Sequence, residues 1–326
     1  MRKNRTIRRI LVAIKNPRAR PSVSLVKAAQ IALACGAEID LFHDISTPVF
    51  VGPVGMPTGF KALLKDGRRV ALAGLERLAS VLRARGLVVH TSAEWDYPTH
   101  ESIIRRAQGS GANLIVTQSR ARHHFPTLLG YTDWSLLRDS PVPVLLIKSR
   151  RAYRRSKILA AIDPLHRYSK PTGLDSSILL EAQTLARAMR TVPHVVHAYL
   201  PQPIGPADDK APDSLAKRLE ASARTGAGAA FRQALRAFPA ASFRHHLIEA
   251  HPVAAITTTA RRVDASIVVL GAISRRGLKR LFIGNTAEQV LDELRCDLLV
   301  VKPRGFVTPI PRGRRGVYLI STAAAI

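Results

Sequence analysis

The segment 271–286, GAISRRGLKRLFIGNT, has the residue types best suited to bind a phosphate-bearing ligand. Three glycines permit close backbone approach or a positive φ, at Gly271, Gly277 and Gly284. Asn285, with Glu288 three residues later, resembles a capping box at a helix start, where unpaired backbone N–H groups attract anions. Four basic residues add positive potential, namely Arg275, Arg276, Lys279 and Arg280. Glycines at strand ends and caps at helix starts are also routine, so spacing alone leaves both interpretations open.

Histidine and hydroxyl residues form no comparable constellation. The pairs His123-His124 and His245-His246 are adjacent residues, whose side chains diverge on any regular element, and no cysteine or carboxylate spacing supports a metal site. No Gly-x-Ser-x-Gly elbow is present. Asp133, at the first turn of an expected helix, suits a helix-dipole partner better than a general base. We therefore expect no catalytic residues, no metal and no enzymatic activity.

The basic loop also repeats an earlier part of the chain. Residues 117–148 align with residues 271–302 at a constant offset of 154 and without a gap. Gly130 then corresponds to Gly284, and Lys148 corresponds to Lys302. A repeat of this length indicates two copies of one domain, which suits a chain of 326 residues.

Each half alternates short apolar runs with helical patterns. In the first half we expect strands near 10–14, 39–43, 87–90, 113–117 and 142–148, helices near 22–35, 60–85, from 100 and 132–138, and a loop at 47–59. In the second half we expect strands near 158–162, 194–199, 243–248, 266–270 and 297–301, and helices near 175–190, 214–238, from 252 and from 285. Asp175 is the expected N-cap of its helix. Residues after about 302 show no convincing pattern.

This alternation predicts an α/β fold in which helices cover both faces of a parallel sheet. Right-handed crossovers place the carboxyl ends of all strands at one edge, which is where ligands bind in open α/β sheets. Asp163 follows the first strand of the second half, and Gly271 ends the fourth. We therefore expect these two residues to meet in one crevice.

Charge and cysteine content limit the classes of protein to which this chain can belong. The 50 Lys and Arg residues against 23 Asp and Glu give a formal net charge of +27, which indicates either an acidic partner, such as nucleic acid or anionic lipid, or a solvated basic surface. Cys35 and Cys296 are too few for a disulfide framework. No apolar run approaches the ~20 residues of a membrane span. These features predict a soluble cytoplasmic protein.

Several stretches resemble a known family. SIVVLG at 266–271, GNTAEQV at 284–290 and CDLLVVKP at 296–303 resemble the C-terminal part of a universal stress protein domain. TDWSLLR at 132–138, followed by PVPVLLIK, resembles the same region in the first domain of tandem family members. The resemblance extends to about residue 305. It implies two universal stress protein domains, at 1–149 and 155–305, each with a five-stranded parallel sheet, followed by a tail at 306–326.

The resemblance also implies a nucleotide site in the second domain. ATP-binding family members carry Gly-x2-Gly-x9-Gly-Ser/Thr after strand four and an Asp at the end of strand one. Ser274 stands in place of the second Gly, and Asn285 in place of the Ser/Thr. The implied ATP site consists of Asp163, Gly271, Ser274, Gly277, Gly284, Asn285 and Thr286.

The first domain departs further from that pattern. Thr117, Arg120 and Tyr131 replace pattern residues, only Gly130 remains, and Lys15 occupies the position of the Asp. We expect no ATP in this domain. Its site is either adapted to a different anion or a decayed structural half, and we favour decay.

As a whole, the resemblance implies a non-enzymatic stress-response protein that requires no cofactor. Single-domain members dimerise, so the two domains are expected to form a pseudo-dimer within the chain, through strand edges near Lys148 and Lys302. A homodimer of whole chains stays open. Two alternatives also stay open: a basic scaffold for nucleic acid or another acidic partner, and a weak ATPase in which Asp163 places a metal or water.

Overall fold

The computed structural model describes residues 6–51, 58–119, 131–165, 173–200, 213–272 and 285–321. The chain divides into two compact units. The first unit comprises Thr6–Tyr153 together with the C-terminal segment that begins at Phe306. The second unit comprises Arg154–Gly305.

The first unit contains a five-stranded parallel sheet in the order β4-β2-β1-β5-β6. Its strands are β1 (Arg9–Ala13), β2 (Glu38–Ile45), β3 (Val49–Val51), β4 (Val89–Trp95), β5 (Leu114–Gln118) and β6 (Val144–Ile147). Its helices are α1 (Val23–Cys35), α2 (Phe60–Arg83), α3 (Thr99–Ser110) and α4 (Tyr131–Asp139). The short strand β3 lies outside this sheet.

The second unit repeats this order, with the parallel sheet β11-β10-β7-β8-β9. Its strands are β7 (Ile158–Ile162), β8 (His194–Tyr199), β9 (Arg244–Glu249), β10 (Ile267–Gly271) and β11 (Asp297–Val301). Its helices are α5 (Leu174–Ala188), α6 (Asp213–Leu235), α7 (Pro252–Arg262) and α8 (Asn285–Glu293), with a 3-10 turn at Ala240–Ser242.

Three strands are buried along their whole length and are almost entirely apolar, because both of their faces are covered. Every residue of β7, β11 and β6 is buried, although successive side chains point to opposite faces. In the second unit, α5 contacts β7, β10 and β11, while α6 and α7 contact β8 and β9. The α/β fold with a parallel sheet in each half is thereby confirmed.

Local signals set most helix ends. Ser22 caps α1 by accepting a hydrogen bond from the Leu25 N–H at 3.3 Å, and Gly36 ends the helix with a φ of 66°. The helix expected near 175–190 is present as α5, but Asp175 is not its N-cap. The helix begins at Leu174 after Gly173, which has a φ of 89°, so Asp175 lies inside the first turn instead of capping it. Its side chain serves another segment, described below.

Three further predictions need correction. The expected loop at 47–59 contains β3, and the C-terminal segment contains the strand β12 (Leu319–Ser321), which pairs with β3 in parallel. The third strand of the first half runs from Val89 to Trp95 instead of near 87–90. It is an edge strand in which only Val89 and Ala93 are buried, so its sequence HTSAEW lacks the apolar run of a central strand.

Candidate functional site

Asp163 and Gly271 lie at the same edge of the second unit's sheet. Asp163 directly follows β7, and Gly271 is the last residue of β10. These strands are parallel neighbours, with Ala160 paired to Val269. The expected meeting of the two residues at the carboxyl edge is therefore consistent with the strand order.

Asp163 has one carboxylate oxygen that no described residue satisfies. Its backbone N–H donates to Asp175 Oδ1 at 3.1 Å, which links the end of β7 to the first turn of α5. Its own Oδ2 is buried and has no hydrogen-bond partner among the described residues. Burying a polar oxygen without a partner costs free energy, roughly 1–3 kcal/mol. The position is thus able to accept a hydrogen bond from a donor supplied by a ligand.

Gly271 is required by packing against α5. A Cβ atom at this position would lie 2.5 Å from Leu174 Cδ2 and 2.7 Å from its Cγ. Leu174 is fully buried at the start of α5. A steric reason for this glycine therefore exists inside the fold, independent of any ligand.

The remaining predicted site residues are only partly described. Ser274, Gly277 and Gly284 lie outside the described residues, as do the four basic residues of the loop. Asn285 and Thr286 are the first two residues of α8. Asn285 is thus the first helical residue instead of the residue before the helix.

In the first unit, a lysine takes the place of Asp163. Lys15 follows β1, and its Nζ donates to the backbone oxygen of Gln118 at 2.6 Å. The same Nζ lies 3.9 Å from Oδ1 of Asp133, which is buried at the start of α4. Lys15 therefore links the ends of β1 and β5 to α4, and its ammonium group interacts with Gln118 and Asp133 of the same unit. This arrangement supports the interpretation of this edge as a decayed site.

A histidine pair in the second unit went unrecognised in the sequence. The Nδ1 of His194 on β8 lies 2.8 Å from the Nε2 of His246 on β9. Arg262, which can only donate, lies 3.2 Å from the Nδ1 of His246, so the proton of His246 is on Nε2 and points at His194. Sequence alone does not reveal this pair, because it depends on the register between β8 and β9. In that register His194 lies beside Arg244 and Val196 beside His246.

This environment favours the neutral form of both histidines. Burial lowers the pKa of His194 to about 4, and the neighbouring His246, Arg244 and Lys157 lower it further because a proton on His194 would face other cationic groups. Burial likewise lowers the pKa of His246, assisted by Arg262 and His245. Across the described segments, no group of three or more His, Cys, Asp or Glu could hold a metal ion. No helix in the described part of the chain is long and apolar enough to cross a bilayer.

Comparison with known proteins assigns the two halves to one family. The model of the universal stress protein family matches residues 6–148 and again 155–302. Universal stress protein E of Escherichia coli K12 is 30% identical over 227 residues, which cover 69% of this chain and 72% of the relative. The homologous protein of Photorhabdus laumondii is 28% identical over 242 residues, covering 73% and 76%.

Solved structures share the fold of the whole chain. A functionally unknown protein from Pseudomonas aeruginosa PAO1 superposes with a TM-score of 0.64 at 29% identity, covering 91% of this chain and 93% of the other. A universal stress protein from Archaeoglobus fulgidus shares the fold at 16% identity, with a TM-score of 0.59 and coverage of 90% and 98%. The chain belongs to the universal stress protein family and carries two copies of its domain in tandem.

Proposed function

We propose that this chain is a non-enzymatic stress-response protein whose second unit binds an adenine nucleotide, while its first unit binds none. The proposed site comprises Asp163, Gly271, Ser274, Gly277, Gly284, Asn285 and Thr286. No cofactor is required for folding, and ATP is a reversible ligand of the second unit.

The observation that carries this proposal is the contrast between Asp163 and Lys15. Asp163 keeps a buried carboxylate oxygen that no described residue satisfies, at the sheet edge where α/β proteins bind ligands. At the corresponding edge of the first unit, Lys15 donates to Gln118 and faces Asp133. One edge retains an unused acceptor, and the other has filled its position with an internal ion pair.

Electrostatics orients the nucleotide in the proposed site. Asp163 and Asp175 place two carboxyl groups near the end of β7, which repel phosphate and accept hydrogen bonds from hydroxyl or amino groups. The start of α8 and the basic loop before it attract phosphate. We therefore propose that the sugar and base lie against Asp163 and that the phosphates lie toward Asn285.

The test is ATP binding by calorimetry with paired variants of the two units. Asp163→Ala should weaken binding about tenfold or more, because a hydrogen bond to a charged group contributes roughly 1.5–3 kcal/mol. The matched control is Lys15→Ala, the corresponding position of the first unit, which should leave affinity and the stoichiometry of one ATP per chain unchanged. Absence of binding at millimolar ATP would overturn the proposal, as would equal losses in both variants.

The absence of enzymatic activity is tested on the same proteins. We expect no ATP turnover above the rate of buffer alone. Turnover that disappears in Asp163→Asn would assign Asp163 a catalytic role and replace the binding proposal with an ATPase. We further propose that the two domains pair within one chain. Light scattering, which distinguishes one copy from a homodimer, measures whether whole chains also associate.

A further inference from the structure

The C-terminal segment returns to the first unit and lies along one side of it. Near its start, the Thr308 hydroxyl donates to the backbone oxygen of Asp139 at 2.7 Å. At its end, β12 pairs with β3, and the Val49 N–H donates to the Tyr318 oxygen at 2.8 Å. Between these points the segment contributes two arginines and an aromatic ring. It therefore contacts the first unit through backbone, charge and ring stacking.

Arg315 is the most closely held residue of this segment. Its Nε and Nη2 donate to the two oxygens of Glu101 at 3.0 and 2.9 Å, and its backbone N–H donates to Asp96 Oδ1 at 2.9 Å. The preceding Arg314 donates to Glu94 Oε1 at 3.0 Å. Planar bidentate pairing of this kind is specific for arginine, and lysine cannot reproduce it.

The first unit presents more acid here than its own bases balance. Four carboxylates form the cluster, on Asp40, Glu94, Asp96 and Glu101, and two arginines of the unit pair with them, Arg105 and Arg106. Burial raises the pKa of Glu101, but hydrogen bonds from Arg315 and Arg105 outweigh it, so its pKa lies below the usual range. Arg314 and Arg315 supply the two missing positive charges.

An aromatic contact completes the surface. Tyr318 stacks on Tyr97 with ring centroids 4.8 Å apart and an angle of 29° between the planes. Tyr97 lies between Asp96 and α3, so the ring platform adjoins the acidic cluster. The β3 edge, Tyr97 and the acidic cluster together form the surface that contacts residues 314–321, and we call this surface the groove.

The segment is held at the surface and not within the core. Among its described residues 306–320, only Ile310 is buried. The side chains of Arg314 and Arg315 are 61% and 46% exposed, so their ion pairs are screened by salt. The segment follows an exposed turn at Arg304 and Gly305, where Gly305 has a φ of 77°.

We propose that the groove formed by β3, Tyr97, Glu94, Asp96 and Glu101 is a peptide-docking site, and that residues 314–321 occupy it as a releasable self-ligand. Two contacts make the groove specific for such a segment: strand addition at β3 and bidentate capture of Arg315 by Glu101. Release of the segment exposes the acidic groove and the edge of β3 that pairs with β12, on a chain that is otherwise strongly basic.

The experiment cleaves the segment from the rest of the purified full-length protein and measures whether it stays bound. A protease site is inserted between Gly305 and Phe306, the purified protein is cleaved, and size-exclusion chromatography reports whether residues 306–326 remain bound. We expect the cut segment to stay bound at about 50 mM NaCl and to leave at about 500 mM NaCl, with far-UV circular dichroism unchanged. A labelled synthetic peptide of residues 306–326 should then bind again on return to low salt, as measured by fluorescence anisotropy.

Variants of the peptide separate specific docking from general charge. A peptide carrying Arg314→Ala and Arg315→Ala should bind about tenfold or more weakly. Arg312→Ala removes an exposed arginine that forms no hydrogen bond or ion pair with the described residues, and its effect should stay within about twofold. Three results would overturn the proposal. These are retention of the segment until the first unit unfolds, equal weakening by both peptides, and unfolding of the first unit on loss of the segment.

Discussion

Asp44, near the end of β2, is a buried carboxyl that forms no ion pair with the described residues. Both of its oxygens are buried, and the hydroxyls around them are too poorly placed to give a hydrogen bond of good geometry. Burial raises the pKa of Asp44; the hydroxyls of Ser102, Thr99 and Ser46 oppose this in part, and the charge of Asp96 adds to it. A raised pKa means that the folded state holds a proton which the unfolded chain has already lost. The contribution of this residue to the free energy of unfolding therefore falls as pH rises from the pKa of the unfolded carboxyl through the higher pKa of the folded one.

We accordingly expect Asp44→Asn to stabilise the first unit at pH 7, by roughly 1 kcal/mol or a few degrees in Tm. The two tryptophans of the chain, Trp95 and Trp134, both belong to the first unit, so their fluorescence reports its unfolding alone. The gain should shrink as pH falls, because the raised pKa lets folded Asp44 take up a proton before the unfolded chain does. Asp66→Asn, at a side chain 63% exposed, is the control. A lower Tm of Asp44→Asn at pH 7 would contradict this account.

Residue types predicted some roles and missed others. Lys15 was recognised as a departure from the family pattern because it replaces an Asp, but its bond to Gln118 depends on where two distant strands end. Asp175 has the residue type of an N-cap, and its actual partner is the backbone of Asp163. Asp175 therefore binds the end of β7 instead of capping its own helix. This contact depends on how β7 and α5 pack together, which the residues around Asp175 do not indicate.

At the scale of elements, the junction of α5 and β10 tests why Gly271 is a glycine. An added Cβ would meet the side chain of Leu174 at 2.5 Å. Gly271→Ala should therefore destabilise the second unit by roughly 1–3 kcal/mol, the usual cost of overpacking. Leu174→Ala alone should cost roughly 2–5 kcal/mol through the cavity it leaves.

The double variant distinguishes packing from ligand approach. If the clash with Leu174 is the reason for the glycine, Gly271→Ala should cost much less in the Leu174→Ala background, and the two effects should not add. Denaturant unfolding followed by far-UV circular dichroism measures each free energy of unfolding. Additive effects would show that Gly271 is constrained by something other than Leu174.

Strands formed by buried runs of five residues were predicted well, and the three-residue strands were not. The strands β7 and β11 coincide with the runs ILAAI and DLLVV, since both faces of each are buried. The strands β3 and β12 have three residues each and form only by pairing with one another. Such strands carry no periodicity of their own, and their existence depends on a partner far along the chain.

For the whole molecule, the repeat predicted two domains but not the return of the C-terminal segment. Arg315 reaches Glu101 across 214 positions of sequence. The sequence shows the residue types needed, an arginine pair and several acids, but such types are abundant in a chain with 50 Lys and Arg residues. Only the fold shows which acids lack enough internal bases, and this excess explains why the segment lies on the first unit.

The stability of the second unit should depend on pH through its histidine pair. His194 is 7% exposed, and the proton of His246 points at its Nδ1, so a proton on that atom would meet another N–H. Burial, and then the neighbouring His246, Arg244 and Lys157, lower the pKa of His194 to about 4. An unfolded histidine binds its proton near pH 6.5, so acidification below that value favours the unfolded chain. His246 acts in the same direction, since burial, Arg262 and His245 lower its pKa.

Between about pH 6 and pH 5, the free energy of unfolding of the second unit should therefore fall by roughly 1.4 kcal/mol for each histidine that stays neutral in the fold. The measurement is calorimetric unfolding across this range, with the first unit identified by its tryptophan signal. His194→Gln should flatten the dependence because it removes one titrating group and the neighbour of another. His251→Gln, at an exposed histidine, should leave the slope unchanged. A slope that is the same in the wild type and in His194→Gln would show that the acid sensitivity of the second unit arises elsewhere.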